Sequence, residues 1–259
     1  MWKIYLSVLI GMFMSQMLYG QESSKTYLDV GVGRSFFQDQ KYSDAKWNGV
    51  SGRVDFGNEE LRKNHLRGWN LQVNVGSETP KGHSHSASIV NPSLSYFYLR
   101  QVNEKLYLGA NWTIANLYNR SVSGLGNNSS FTDFSSSISL RGSYDLNIGK
   151  KALKISADVG LVSLSKMVIS FAYSAPQSTL NDGKFNFQDS SIDSPSGKEG
   201  FQWMAPWDDL RIKTSIQYAL SKRFDLVYRW EYRKYELVKD YPTMYGLNSL
   251  SLRYNFRLR

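Results

Sequence analysis

The chain has 259 residues, is 41% apolar and 14% aromatic, and carries a formal net charge of +9. That composition excludes an intrinsically disordered chain, which would lack the aromatic and apolar residues needed for burial. It contains no cysteine, so disulfides, thiolate zinc sites, cysteine nucleophiles and a lipid-modified N-terminal cysteine are all excluded.

Residues 1–20 read as a secretory signal peptide. Lys3 supplies the positive start, and residues 4–14 form an apolar run too short to span a bilayer as a helix. Gly20 is expected to precede the cleavage point, so the mature chain is 21–259.

From there, apolar and polar residues alternate with period two, the mark of strands with one apolar face. Residues 26–36 place Leu28, Val30 and Val32 on one face, and 49–57 set Val50, Val54 and Phe56 against Ser51, Arg53 and Asp55. Residues 67–76 set Trp69, Leu71, Val73 and Val75 against Asn70, Gln72 and Asn74; 92–101 have mixed faces. Residues 105–116 align Leu106, Leu108, Ala110, Trp112 and Ile114, and 131–147 set Ile138, Leu140, Tyr144 and Leu146 against Ser139, Arg141, Ser143 and Asp145. The run 152–173 is the longest, with Leu153, Ile155, Ala157, Val159 and Leu161 read in one phase with Met167, Ile169, Phe171 and Tyr173. At about 3.3 Å per residue it exceeds a bilayer's thickness, so it must project beyond the bilayer or break near Lys166. Residues 210–220, 224–237 and the closing 249–259 repeat the pattern, the last setting Leu250, Leu252, Tyr254, Phe256 and Leu258 against Ser251, Arg253, Asn255 and Arg257.

These are ten strands, and no helical-period segment of useful length follows the signal. The connections alternate. On one side lie 58–66, 102–104, 148–151 and 221–223; on the other lie 37–48, 77–91, 117–130, 174–209 and 239–245. Short turns on one side and longer loops on the other mark a membrane β-barrel, and an even strand count returns both termini to the short-turn side. The expected fold is therefore all-β: a ten-stranded antiparallel up-and-down transmembrane β-barrel, an architecture that eight to twelve strands would share. Closure pairs every backbone group, as a bilayer requires.

In the signal, the alternating strands, the asymmetric loops and the aromatic terminal strand, the chain resembles the small Gram-negative outer-membrane β-barrels over about residues 26–259. The resemblance implies an integral outer-membrane protein with both termini in the periplasm, in contact with lipid and lipopolysaccharide. It also implies a last strand read by the barrel-assembly machinery, with Tyr254 and Phe256 as signal candidates. Here Arg257, Leu258 and Arg259 follow the last aromatic, a departure from the usual terminal aromatic. The rival architecture is a secreted β-sandwich or lipocalin-like barrel, which would turn its polar faces outward. Large charged residues on the polar faces and Trp69, Trp112, Tyr228, Trp230 and Tyr232 on the apolar faces favour lipid outside.

The residues of inward phase form a lumen charge network: Arg53, Asp55, Arg141, Asp145, Asp158, Asp225, Arg229, Glu231, Arg233 and Arg253, joined by Asp29, Lys154, Arg211 and Lys213. A narrow barrel is filled by such side chains; an arginine-rich constriction would instead make a small pore favouring anions. The 174–209 loop carries Phe185, Phe187, Phe201, Trp203 and Trp207, candidates for a partner surface in an envelope complex. A surface hydrolase is the third reading. The barrel resembles the omptin proteases in size, and Asp133, Asp208 and Asp209 lie near the long-loop rim with His83 and His85, while Ser84 and Ser86 flank those histidines as a lipid A deacylase would need; no catalytic position transfers. No metal or cofactor is expected, since His83 and His85 have no third partner on their rim. Nucleic acid is excluded as a partner, because the basic residues form neither a run nor a recognition helix. The leading expectation is a structural or accessory subunit acting through its loops or outer wall.

Overall fold

The computed structural model describes residues 23–40, 46–80, 86–123, 129–172, 200–238 and 241–256. The signal segment, His83, His85, Phe185, Phe187 and Arg257 lie outside them. The elements in chain order are β1 (Ser23–Asp39), β2 (Trp47–Arg62), β3 (His65–Pro80), β4 (Ser86–Gln101), β5 (Leu106–Ser123), β6 (Ser129–Ile148), β7 (Lys151–Ala172), β8 (Gln202–Met204), β9 (Asp209–Ala219), β10 (Phe224–Val238) and β11 (Tyr241–Phe256).

Each long strand pairs antiparallel with its sequence neighbour, β1 pairs with β11, and β7 pairs with both β6 and β9. The ten long strands thus close into a barrel with no free edge. The turns follow from local chemistry. Asn103 Oδ1 accepts the amides of Lys105 and Leu106 at 3.0 and 2.9 Å, and Ser221 Oγ does the same for Arg223 and Phe224 at 3.2 and 3.1 Å. Lys63 (φ 44°) and Gly149 (φ 60°) take the left-handed conformation in the two other turns. Both ends of the described chain lie at this turn end, where Thr26 pairs with Phe256.

The strands are longer than the sequence pattern indicates. Most of 58–66, 77–91 and 117–130 is strand, and β6 and β7 run to 20 and 22 residues. A tilted membrane strand needs about 9–11, so the wall overshoots a bilayer. The surplus stands at the loop end, opposite the turns. Within 174–209 a three-residue strand, β8, pairs with β7 above the short β9: Leu164 pairs with Trp203 and Ser163 with Met204. It fills the wall where β9 stops.

The common phase read for Leu153–Leu161 and Met167 does not hold. A bulge opposite Ile138/Ser139 inserts one residue into β7, and the phase flips above it. Leu161 remains outward, while Met167 packs against the buried interior cluster.

The outer face is an apolar band: Val32, Val50, Val75, Leu140, Leu250 and Leu252 are all exposed. Aromatic pairs edge it at the turn end, with Phe56 on Trp69 (5.4 Å) and Phe224 on Tyr254 (5.3 Å). Interfacial aromatics of this kind flank membrane barrels.

Candidate functional site

The interior is layered along the barrel axis. Nearest the turns, Leu66, Phe97, Leu99 and Tyr107 form a small apolar floor on β3, β4 and β5. This explains why 92–101 shows no clean alternation: both of its faces are apolar.

Next comes a ring of ion pairs. Asp29 on β1 accepts from Arg253 at 2.8 and 3.1 Å and also from Arg229. Arg53 on β2 binds Asp55 at 2.7 Å, Gln72 at 2.9 Å and Glu231. Arg229 also reaches Asp55 at 3.4 Å. Asp29 and Asp55 are wholly buried. A carboxylate in such a place persists only because guanidinium groups surround it. Lys154 Nζ meets Glu59 at 2.8 Å, and Arg253 lies 3.5 Å from the same Glu59. β7 and β2 stand opposite each other in the ring of ten strands, so the Lys154–Glu59 bridge crosses the lumen.

A second ionic layer sits above. Asp209 is clasped by Arg233 (2.8 Å) and Arg211 (3.0 Å), and Ser163 Oγ donates to it at 2.6 Å. Arg120 on β5 binds Asp39 at 2.9 Å and Asp133 at 2.8 Å, and Tyr235 donates to Asp133. Over this layer lies an apolar cap: Phe37, Trp47, Ile89, Tyr118, Phe131, Met204 and Leu237 are buried together. Phe37 stacks on Trp47 at 5.4 Å and Tyr118 on Tyr245 at 4.6 Å.

Two cavities occupy the lower half. One of about 390 Å³ opens among Lys25, Leu66, Tyr107, Asp145 and Asn255 at the turn end. The other, of about 90 Å³, lies deeper among Arg53, Arg141, Asp158, Lys213 and Glu231. Both are walled by Glu59, Lys154 and Arg253, and neither is lined by a cap residue.

Of the residues with inward phase in the sequence, Arg53, Asp55, Arg229, Glu231 and Arg253 come together in the lower ring, and Arg233 belongs to the upper layer. Asp225 is buried beside Gln217 and Asn255, each donating at 2.8 Å. Arg141 and Asp158 face each other loosely at 3.8 Å, and Arg141 lies over the Phe97 ring at 4.3 Å. Asp145 is exposed at the turn-end mouth. Tyr254 and Phe256 are outward and in edge contact at 4.8 Å. Asp133 and Asp209, named for the hydrolase reading, are locked into the upper ion pairs, while Asp208 is exposed in the β8–β9 turn. Glu59, Asp39 and Arg120 were not legible as network members, since each fell in a stretch read as a loop. A signal exists for Arg120: Tyr118, Arg120 and Val122 keep alternating with Asn119 and Ser121.

No protein-family profile matches the chain, and no curated protein matches it in sequence. Solved structures do. The translocator domain of the autotransporter NalP from Neisseria meningitidis superposes with a TM-score of 0.53 at 10% identity, covering 99% of this chain and 97% of that one. This chain has the fold of a bacterial outer-membrane β-barrel. The outer-membrane protease OmpT from Escherichia coli (TM-score 0.49, 8% identity, 90% and 97% coverage) and the Neisserial surface protein NspA (0.42, 12%, 91% and 100%) are further neighbours. At these identities the likeness is one of fold.

The outer wall carries its own feature. Trp207 and Trp203 are 83% and 75% exposed, and Phe201 is 57% exposed. Phe201 meets Phe134 edge-on at 5.8 Å, and Lys166 lies 5.7 Å from its ring. The three aromatics surround β8, at the level where the outward residues of β10 change from Tyr232 to Lys234 and Glu236.

Proposed function

We propose that this protein is a non-conducting integral outer-membrane barrel that serves as an accessory subunit, presenting the Phe201–Trp203–Trp207 patch to a partner protein of the cell envelope. The turn end and both termini face the periplasm, and the loop end faces outward. The observation that carries the reading is the closed interior. A salt bridge spans the lumen, a second ionic layer follows, and an apolar cap covers both. A lumen filled in this way offers no charged constriction of the kind a selective pore needs, which leaves the wall as the working surface. Exposed tryptophans are favoured anchors of protein interfaces. Lys166 and Lys234 at the same level attract anionic lipopolysaccharide head groups around the patch. Tyr254 and Phe256, outward at the end of β11, are what the assembly machinery reads.

The test pairs two measurements on the purified barrel. In a planar bilayer it passes no stepwise current. In cells, a photoreactive residue at position 203 captures one stoichiometric envelope protein, and Trp207→Ala weakens that capture. A steady single-channel current that grows when Lys154 or Glu59 is neutralised would overturn the reading in favour of a pore.

A further inference from the structure

We infer that the inner wall holds one monovalent metal cation, of the sodium class, against the buried carboxylate of Glu78. The argument begins with residue size. Across β11, β1, β2 and β3 one row of the inner face reads Ser249, Gly33, Ser51, Gly76, and the row above reads Leu247, Ser35, Gly49, Glu78. Glycine and serine leave this quadrant of the wall thin, opposite the large side chains of β9 and β10. The geometry converges on one point. A side-chain carbon at Gly76 would lie 3.4 Å from Ser35 Oγ, 3.6 Å from Ser51 Cβ and 3.7 Å from Glu78 Oε1. These groups face the same small hollow.

The chemistry is one-sided. Glu78 is 0% exposed. Asp29 and Asp55, the other carboxylates buried to that degree, are each held by two arginines. Among the described residues Glu78 forms no ion pair. Ser35 and the Phe37 amide approach it, yet neither carboxylate oxygen closes a hydrogen bond, and the hydroxyls of Ser35 and Ser51 are likewise buried without one. Two carboxylate oxygens and two hydroxyl oxygens are the donor set of a hard cation, and buried charges are either paired or coordinate a metal. A single carboxylate balances a single positive charge, which selects a monovalent ion over calcium or magnesium.

The experiment follows urea unfolding of the refolded barrel in detergent micelles, in sodium chloride and in choline chloride at equal ionic strength. The wild-type midpoint is expected to rise with sodium and to saturate, while Glu78→Gln unfolds at one midpoint in both salts. Should Glu78→Gln fail to fold, Gly76→Ala serves instead, because its methyl group fills the hollow at ordinary contact distances and leaves Glu78 in place; it too should lose the sodium dependence. Thallium soaked into crystals should give an anomalous peak between Glu78, Ser35 and Ser51. Wild-type midpoints identical in the two salts, or a thallium map without that peak, would overturn the proposal and leave a proton as the occupant of Glu78.

Discussion

The lower and upper halves of the wall obey opposite rules on the same strands. On β10, Leu226, Tyr228, Trp230 and Tyr232 point outward while Arg229, Glu231 and Arg233 point in; two residues further, Lys234 and Glu236 point out while Tyr235 and Leu237 point in. On β4 the exchange falls between Val90 outside with Asn91 inside and Ser88 outside with Ile89 inside. On β5 it falls between Leu117 and Asn119 on the outer face. The lower half is a membrane barrel, polar within and apolar without. The upper half is built like a soluble barrel, with its apolar residues gathered into the cap. The difference teaches where the hydrocarbon ends: the strand continues, and only the solvent outside it has changed.

The largest effect should come from the lower half's ionic ring. Asp29→Ala leaves Arg229 and Arg253 buried without their shared carboxylate, and about 3–5 kcal/mol of unfolding free energy should be lost, read from urea titration of the refolded barrel. In the upper half the comparable lesion is apolar. Phe131→Ala, in the cap, should cost about 3 kcal/mol or somewhat more through lost transfer energy and a residual cavity. If the upper half opens on its own, that loss will show first as faster proteolytic nicking at the loop end, ahead of any change in the global midpoint.

A sharper comparison places one charge on each half's outer face. Val30→Arg on β1 confronts hydrocarbon and should cost about 2–4 kcal/mol. Ser88→Arg on β4 confronts water and should stay within about 0.5 kcal/mol. Equal costs at the two positions would erase the boundary drawn here. The smallest effect belongs to Trp203→Ala and Trp207→Ala, each expected within about 0.5 kcal/mol of wild type by the same titration, while reducing partner capture.

Much of the fold was legible because strand periodicity is a local property. Leu71, Val73 and Val75 against Gln72 and Asn74 need no distant information to show a two-faced strand, and the alternation of connections gave the strand count. The strand ends were not legible. Where the outer solvent changes from lipid to water, the alternation keeps its period but exchanges its polarity, so Tyr118, Arg120 and Val122 looked like loop beside Asn119 and Ser121. The β7 bulge was invisible for a related reason: one inserted residue inverts the phase of everything beyond it, as Met167 shows.

By itself the sequence determined a closed ten-stranded barrel, an apolar outer band and a set of inward charges that includes Arg53, Asp55, Arg229, Glu231 and Arg253. Those facts follow from side-chain period and from the rule that a bilayer tolerates no unpaired backbone. Only the tertiary structure decided which charge meets which. Lys154 and Glu59 are neighbours because β7 and β2 face each other across a ring of ten strands, Arg120 and Asp39 because β5 and β1 do. Such pairs are set by ring closure and register, which couple residues about a hundred positions apart and leave no mark on the local pattern of either strand.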